Sequence, residues 1–378
     1  MIKKKSINIF LITSIFIYLF ISISSIYSAS MYLSPSLGNL PLKQLVWYIV
    51  GIAIIYIFSK INNKYLYKYA LLYYSGGILM LIGLLLVAPS INGSKSWFII
   101  SGIGSMQPSE FMKIALVLIN AKVISNFLDN KKQVTLYKEF KLLLLIILIF
   151  IIPSILTFMQ PDTGIVIIYF ISTILMLYIS GIRKRWFIGT IAVLLTTISI
   201  FIYIYYNNQQ MFIDIFGSSF FYRIDRLLNW QNGTGMQLNN SLAAIGSSGI
   251  TGHGFNNTPV YFPEAGTDFI FTVFSSNFGL IGSIAILGFL LLFDMYIINI
   301  GKSCHKNRDK YVIAGIMGII IYQQIQNIGM TLGLIPITGI TLPLISYGGS
   351  SLLSYLIMIG IIINIDILNK KKKSYKKL

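Results

Sequence analysis

Apolar runs of about 17 to 25 residues recur from one end of this chain to the other, each long enough to cross roughly 30 Å of hydrocarbon as a helix. Ten such runs lie near residues 7-29, 44-59, 69-88, 108-126, 142-158, 164-180, 187-206, 269-299, 311-332 and 348-368. With 56% hydrophobic and only 11% charged residues, a soluble domain is excluded. The expectation is an all-α fold: a polytopic integral membrane protein with about ten transmembrane helices, built as one domain over 1-378. The first run follows Lys3, Lys4 and Lys5 and precedes Ser28-Ala29-Ser30, as a cleaved signal would. Its apolar stretch exceeds the length of a signal core, which favours a retained first helix.

Orientation follows from the basic residues. A cytoplasmic N-terminus places 24 of the 29 lysines and arginines on inner loops or the tail at 369-378, so both termini are expected in the cytoplasm. The net charge of +18 is spread over every inner loop and gathered into no single patch. It therefore reads as topology and contact with membrane lipid, and argues against nucleic acid. Five bases remain outside or at the outer edge: Lys43, Lys95, Lys113, Arg223 and Arg226.

The same topology puts six of the eleven carboxylates on the outer side, namely Glu110, Asp162, Asp214, Asp225, Glu264 and Asp268. Acids held where charge is costly are candidates for chemistry. Asp294 and Asp366 lie near inner ends and are expected at the interface. Cys304 is the sole cysteine, and His253 and His305 are far apart in sequence. A disulfide framework, a histidine metal centre and a Cys/His nucleophile pair are thus disfavoured.

Most connections are short, but 207-267, between the seventh and eighth spans, forms a large extracellular loop rich in glycine. A loop of that length is more often functional than passive. Within it, Ser241 to Ile250 is apolar enough for a short interfacial helix.

Four outer motifs stand out. Asn92-Gly93-Ser94-Lys95-Ser96-Trp97 is followed by Gln107-Pro108-Ser109-Glu110-Phe111-Met112-Lys113, where Pro108 suits a helix start and Glu110 and Lys113 share a face. Gln160-Pro161-Asp162-Thr163-Gly164 is a turn between spans. The long loop carries Tyr222-Arg223-Ile224-Asp225-Arg226, Gly235-Met236-Gln237 and Pro263-Glu264-Ala265-Gly266-Thr267-Asp268; Asp268 stands at the mouth of a span, where an ordinary role would be an N-cap. Last come Asn327-Ile328-Gly329-Met330, Pro336-Ile337-Thr338-Gly339 and Pro343-Leu344-Ile345-Ser346-Tyr347-Gly348-Gly349, a helix-breaking run that belongs at membrane depth only when buried or lining a cavity.

In this order and at these spacings the motifs closely resemble the shape, elongation, division and sporulation (SEDS) family, the RodA/FtsW/SpoVE proteins, from about Lys43 to the last span. The Asn-Ile-Gly-Met and Pro-Ile-Thr-Gly forms look most like the rod-shape RodA type. The resemblance implies a ten-helix peptidoglycan glycosyltransferase in the cytoplasmic membrane that polymerises lipid II at its outer face, for cell elongation and rod shape, beside a class B penicillin-binding protein. It implies that Asp268 is the catalytic carboxylate and that Glu110 and Lys113 line the same cavity. The chain departs from the family pattern at Ser276-Asn277, where a glutamate pair is usual, at Ser94 and Ser96, where bases are usual, and at Asn240.

The implied chemistry fits the charge map. A sugar hydroxyl attacks an anomeric carbon, a base takes its proton, and undecaprenyl diphosphate leaves with inversion. Asp268 is the expected base. Lys113, Arg223, Arg226 and Lys95 are the cations available to the diphosphate, with Asp162, Gln237 and Ser346 as further cavity or substrate-binding residues. Lys113 has two partners open to it, Glu110 and Asp268. No dedicated metal motif is present, although the carboxylates and diphosphate offer hard oxygens to a divalent cation, Mg or Mn. Two other classes compete. A lipid II flippase would need charged groups along the whole crossing, and a scaffold for a penicillin-binding protein would tolerate loss of Asp268.

Overall fold

The computed structural model describes residues 8–31, 39–89, 94–100, 104–128, 135–228 and 235–375. In chain order the helices are α1 (Ile9–Ser30), α2 (Leu40–Lys60), the short α3 (Asn63–Lys68) and α4 (Ala70–Val87). A hairpin of two three-residue strands follows, β1 (Phe98–Ile100) and β2 (Gly104–Met106), then α5 (Pro108–Leu128), α6 (Leu136–Met159), α7 (Thr163–Ile179) and α8 (Lys184–Asn207). The long loop holds α9 (Gln209–Phe216), α10 (Ser218–Leu228) and α11 (Met236–Ser247), and the chain closes with α12 (Ile270–Lys302), α13 (Asn307–Thr331) and α14 (Gly349–Tyr375). Among the described residues nine helices are long and apolar enough to cross a membrane, and the 17-residue α7 makes a tenth apolar helix. This is a multi-pass membrane protein.

Helix starts are set by local chemistry. The side chains of Asn8, Asn39 and Asp162 accept from the backbone N–H three residues on, supplying the acceptor that a first turn lacks. Pro108 opens α5, where its missing N–H costs nothing.

The bundle is organised around α5, α13 and α14, which bury most of their length, whereas α8 buries only Tyr205. Hydrocarbon tails are as apolar as leucine, so helices in a bilayer associate by close packing and polar contacts. Gly315 of α13 leaves room for Met176 and Val117, and Ser172 of α7 donates to the Gly315 carbonyl at 3.0 Å.

The inner-end acids Asp294 and Asp366, expected at the interface, do not project freely from the bundle. Both are buried: Asp366 accepts from Asn8 at 2.8 Å and pairs with Lys370 at 2.7 Å, and Gln324 donates to Asp294 at 3.3 Å. The helices pack closely enough at that end to exclude these carboxylates from the surface, and neutral or cationic partners offset the cost.

α12 is broken within its outer third. Gly279 has φ 61° and ψ −157°, a conformation essentially confined to glycine. The segment from Gly249 to Gly254 enters the break: Leu280 N–H bonds the Gly249 carbonyl at 3.0 Å, and His253 and Gly254 N–H bond the Ser276 and Asn277 carbonyls. Gly252 and Gly279 touch so closely that a Cβ on either would lie within 2.3 Å of the other's backbone or of Asn277's. Ser276-Asn277 therefore serves structure here: Asn277 donates to Ser28 of α1 at 2.8 Å and accepts from Thr258. Gly279→Ala is expected to cost more than about 2 kcal/mol, from strain and overpacking together. Gly288→Ala in the same helix, where a Cβ meets nothing, should be neutral; equal melting temperatures for the two in detergent would refute the account.

Candidate functional site

One cavity of about 320 Å³ gathers the outer motifs. Its wall takes Ser94, Ser96 and Trp97 from before β1, Gln107 and Glu110 from the start of α5, and Pro161, Asp162, Thr163 and Ile165 from the α6–α7 turn. The lining is completed by Glu264, Thr267 and Asp268 from before α12, Gln323 of α13, and the segment Thr338 to Thr341 with Tyr347. Four of the six outer carboxylates, Glu110, Asp162, Glu264 and Asp268, thus share one space although they come from three separate parts of the chain.

The turn 263–269 is fixed by its neighbour rather than by α12. Three successive carbonyls are captured: Gly266 by the Tyr347 N–H at 2.9 Å, Thr267 by the Ser346 hydroxyl at 2.6 Å, and Asp268 by the Asn327 amide at 2.8 Å. Asp268 is not an N-cap, as its sequence position allowed; Phe269 occupies that place and makes no side-chain cap. The carboxylate is half-buried and faces Gly339, whose φ of 69° and missing Cβ let the two segments meet. A Cβ there would stand 3.4 Å from Asp268 Oδ2. Burial pushes the Asp268 carboxyl up to about 7, and the charge of Glu264 adds to the rise.

The segment between α13 and α14 is non-helical backbone whose polar groups need partners. Side chains of α1 and α2 supply them. Ser22 donates to the Ile345 carbonyl at 2.7 Å, Gln44 to that of Ser346 at 3.1 Å, and the Tyr48 hydroxyl to that of Leu344. Ser346 is buried and also accepts from the Leu342 N–H at 2.8 Å, so it clamps the loop rather than lining the cavity.

Asp162 accepts from the Gln107 amide at 2.7 Å while capping α7. Burial raises its carboxyl to about 6; the Ile165 N–H opposes that rise, Glu110 adds to it, and Lys113 and Gln107 moderate it. Ser94 and Ser96, in the places of usual bases, both donate to the Gln160 carbonyl and tie this wall to the α6–α7 turn.

Of the two partners open to Lys113, the structure selects Glu110. The pair is 2.7 Å apart, both residues are almost fully buried, and the ammonium also lies 5.1 Å from the Tyr355 ring centre. Glu110 further accepts from Ser354 at 3.0 Å and presents itself to the cavity, whereas Lys113 sits behind it. One turn of helix separates the two, so their union needs no movement of another element. Lys95 is exposed between two lining serines, and Gln237 is half-buried on α11 away from the lining. Arg223 and Arg226 fall on α10, but their side chains lie outside the described residues. Among the described residues no three His, Cys, Asp or Glu side chains form a metal-ligand set.

Sequence reasoning passed over Gln107, Trp97, Gln323 and Thr338. Gln107 and Thr338 lay inside quoted motifs but carry no charge to mark them. Gln323 left a usable signal, as one of four amides, with Gln324, Gln326 and Asn327, gathered in a helix of membrane-spanning length. Its Oε1, like Thr338 Oγ1, is buried without a hydrogen-bond partner.

Lys113→Met strands the Glu110 carboxylate in the interior and is expected to cost about 3–5 kcal/mol. The double variant Glu110→Gln with Lys113→Met should lose distinctly less. Thermal unfolding in detergent decides, and a double variant as unstable as the single would dismiss the buried pair as the cause.

Residues 7–371 match the family model for FtsW, RodA and SpoVE, described as a cell cycle protein. Over 336 residues the chain is 34% identical to the probable peptidoglycan glycosyltransferase FtsW of Buchnera aphidicola subsp. Baizongia pistaciae, covering 86% of this chain and 83% of that one. It is 32% identical to stage V sporulation protein E of Bacillus subtilis, covering 96% and 98%. A solved chain from work on how a peptidoglycan synthase complex coordinates polymerization and crosslinking superposes with a TM-score of 0.79. That match has 22% identity and covers 96% of this chain and 98% of the other.

Proposed function

Because the chain belongs to the FtsW, RodA and SpoVE family of cell cycle proteins, we propose that it is a peptidoglycan glycosyltransferase that polymerises lipid II at the outer face of the cytoplasmic membrane. The observation that carries this reading is the half-buried Asp268, held by its backbone at the wall of a polar cavity. A sugar hydroxyl is a poor nucleophile until its proton is accepted, and a base works best when its pKa lies near ambient pH. Asp268, raised by burial to about 7, meets that requirement. Glu110 and Asp162 line the same cavity.

The departing diphosphate gathers negative charge that Lys113, already paired, neutralises only in part. Lys95, Arg223 and Arg226 are the remaining cations assigned to it. A Mg or Mn ion would have to complete its coordination with oxygens of the substrate, as magnesium sites commonly do. A class B penicillin-binding protein is the proposed partner, supported by the likeness to a chain from a synthase complex that polymerises and crosslinks.

Passage of lipid II across the bilayer fits less well. The cavity is lined by residues of one end of the bundle, while the opposite end is filled by buried, internally bonded Asp294, Asp309 and Asp366. We assign the activity to cell elongation on the Asn327-Ile328-Gly329-Met330 and Pro336-Ile337-Thr338-Gly339 forms. The names of the FtsW and stage V sporulation relatives favour a second reading, division or sporulation. Complementation of strains lacking each paralogue separates the two.

Purified with its transpeptidase partner and given lipid II, the protein should form glycan polymer, and Asp268→Asn should lower the rate by about 10²- to 10⁴-fold while the complex persists. Near-normal polymerisation by Asp268→Asn would leave only a scaffold or another base. The base must be ionised to accept a proton, so the wild-type rate should rise with pH through about 7 and level off above it. A rate falling over that range would contradict the assignment. The other ionisable groups facing the cavity are Glu110, Asp162, Glu264 and Tyr347. Among them burial raises Asp162 to about 6, close to the same window.

A further inference from the structure

We infer that Asn327 is a positioning residue for the Asp268 carboxylate, acting through the backbone; the inference rests on the reading of Asp268 as the base. Asn327 is in the last turns of α13 and is fully buried. Its Nδ2 donates to the Asp268 carbonyl at 2.8 Å and to the Ile340 carbonyl at 2.8 Å. Both neighbours are acceptors, so the amide has one orientation: flipping it would set an oxygen against two carbonyl oxygens. Its Oδ1 makes no hydrogen bond and takes no part in the contact.

The geometry makes this amide more than a packing element. Asp268 and Ile340 belong to two adjoining segments that both line the cavity, and Gly339, next to Ile340, is the residue against which Asp268 Oδ2 lies. One rigid three-atom bridge therefore fixes both the carbonyl of the base and the surface its carboxylate rests on. Ser346 and Tyr347 hold the preceding two carbonyls, yet neither reaches Asp268 itself. Without Asn327 the peptide after Asp268 keeps only the Phe269 N–H bond to the Glu264 carbonyl, at 3.1 Å, and the carboxylate shifts as that single tether allows. A displacement near 1 Å at a reacting group costs about 10²-fold in rate. Substrate binding, spread over the rest of the cavity, is not expected to change to the same degree.

The test uses the full-length protein with its transpeptidase partner and lipid II. Asn327→Leu, close in volume, should lower kcat by roughly 10- to 100-fold with KM altered by less than about 3-fold, and should displace the midpoint of the pH–rate curve because the carboxyl no longer sits in its native surroundings. Asn364 is the matched control: it is a second buried asparagine of the bundle, bonding the carbonyls of Phe58, at 2.6 Å, and Ile61 far from the cavity. Asn364→Leu should lower the melting temperature but keep the wild-type kcat and pH midpoint per folded molecule. Should Asn327→Leu not yield folded protein, Asn327→Ala, which removes both donors without adding bulk or charge, carries the test.

A wild-type kcat and pH midpoint in the Asn327 variant overturns the inference, as does an equal loss of kcat in Asn364→Leu. Asp268→Asn, assayed alongside, separates the failures. Full activity there removes the base reading itself, whereas an inactive Asp268→Asn beside a normal Asn327 variant removes only the positioning role.

Discussion

Backbone that leaves the helical state inside a bilayer has no water to satisfy it, and that constraint organises this molecule's outer half. The segment between α13 and α14 and the turn before α12 are both irregular, so each is obliged to find hydrogen-bond partners in the other or in surrounding helices. The captured carbonyls of Gly266, Thr267 and Asp268, and those of Leu344, Ile345 and Ser346, are the result. A requirement of stability thereby becomes a device of function. The bonds that make irregular backbone tolerable are the same bonds that fix a carboxylate at a cavity wall.

The break in α12 follows the same rule with a different solution. There the missing helical bonds are taken over by the backbone of 249–254, and two glycines permit the approach. Serine and asparagine at 276 and 277 then bond inward, to the entering segment and to α1, rather than facing the cavity. The departure from the family's usual acids at these positions is therefore compatible with an intact cavity, because the pair is spent on holding the long loop against the bundle.

Much of this was legible in the sequence, and the remainder was not for identifiable reasons. Hydrophobic runs of membrane-spanning length announce helices wherever they occur, so ten apolar helices follow from composition alone. The outer carboxylates declared themselves by the cost of charge in such surroundings. The choice between Glu110 and Asp268 as partner of Lys113 was beyond sequence, since helical spacing favours one and shared location the other; only packing decides that the ammonium lies behind Glu110. Asn327 was visible as part of a motif, but its role depends on two carbonyls from segments 59 and 13 residues away. Contacts to backbone carry no residue signature at the far end, and reading one motif at a time cannot reveal them.

The electrostatics of the cavity bear on how the proposed diphosphate substrate would enter a space lined by acids. Counted formally, Glu110, Asp162, Glu264 and Asp268 would oppose a diphosphate. Lys113 cancels the first at 2.7 Å, and burial lifts Asp162 to about 6 and Asp268 to about 7, so that near neutrality these two carry less than their formal charge. Glu264 is exposed and screened by solvent. The cavity thus offers weak repulsion before chemistry, and its strongest cation is committed to the wall. Under the proposed function, positive charge for the leaving group is assigned to the exposed Lys95 and to α10 of the long loop, whose sequence carries Arg223 and Arg226. On this account the base is built into the rigid bundle, where position matters most.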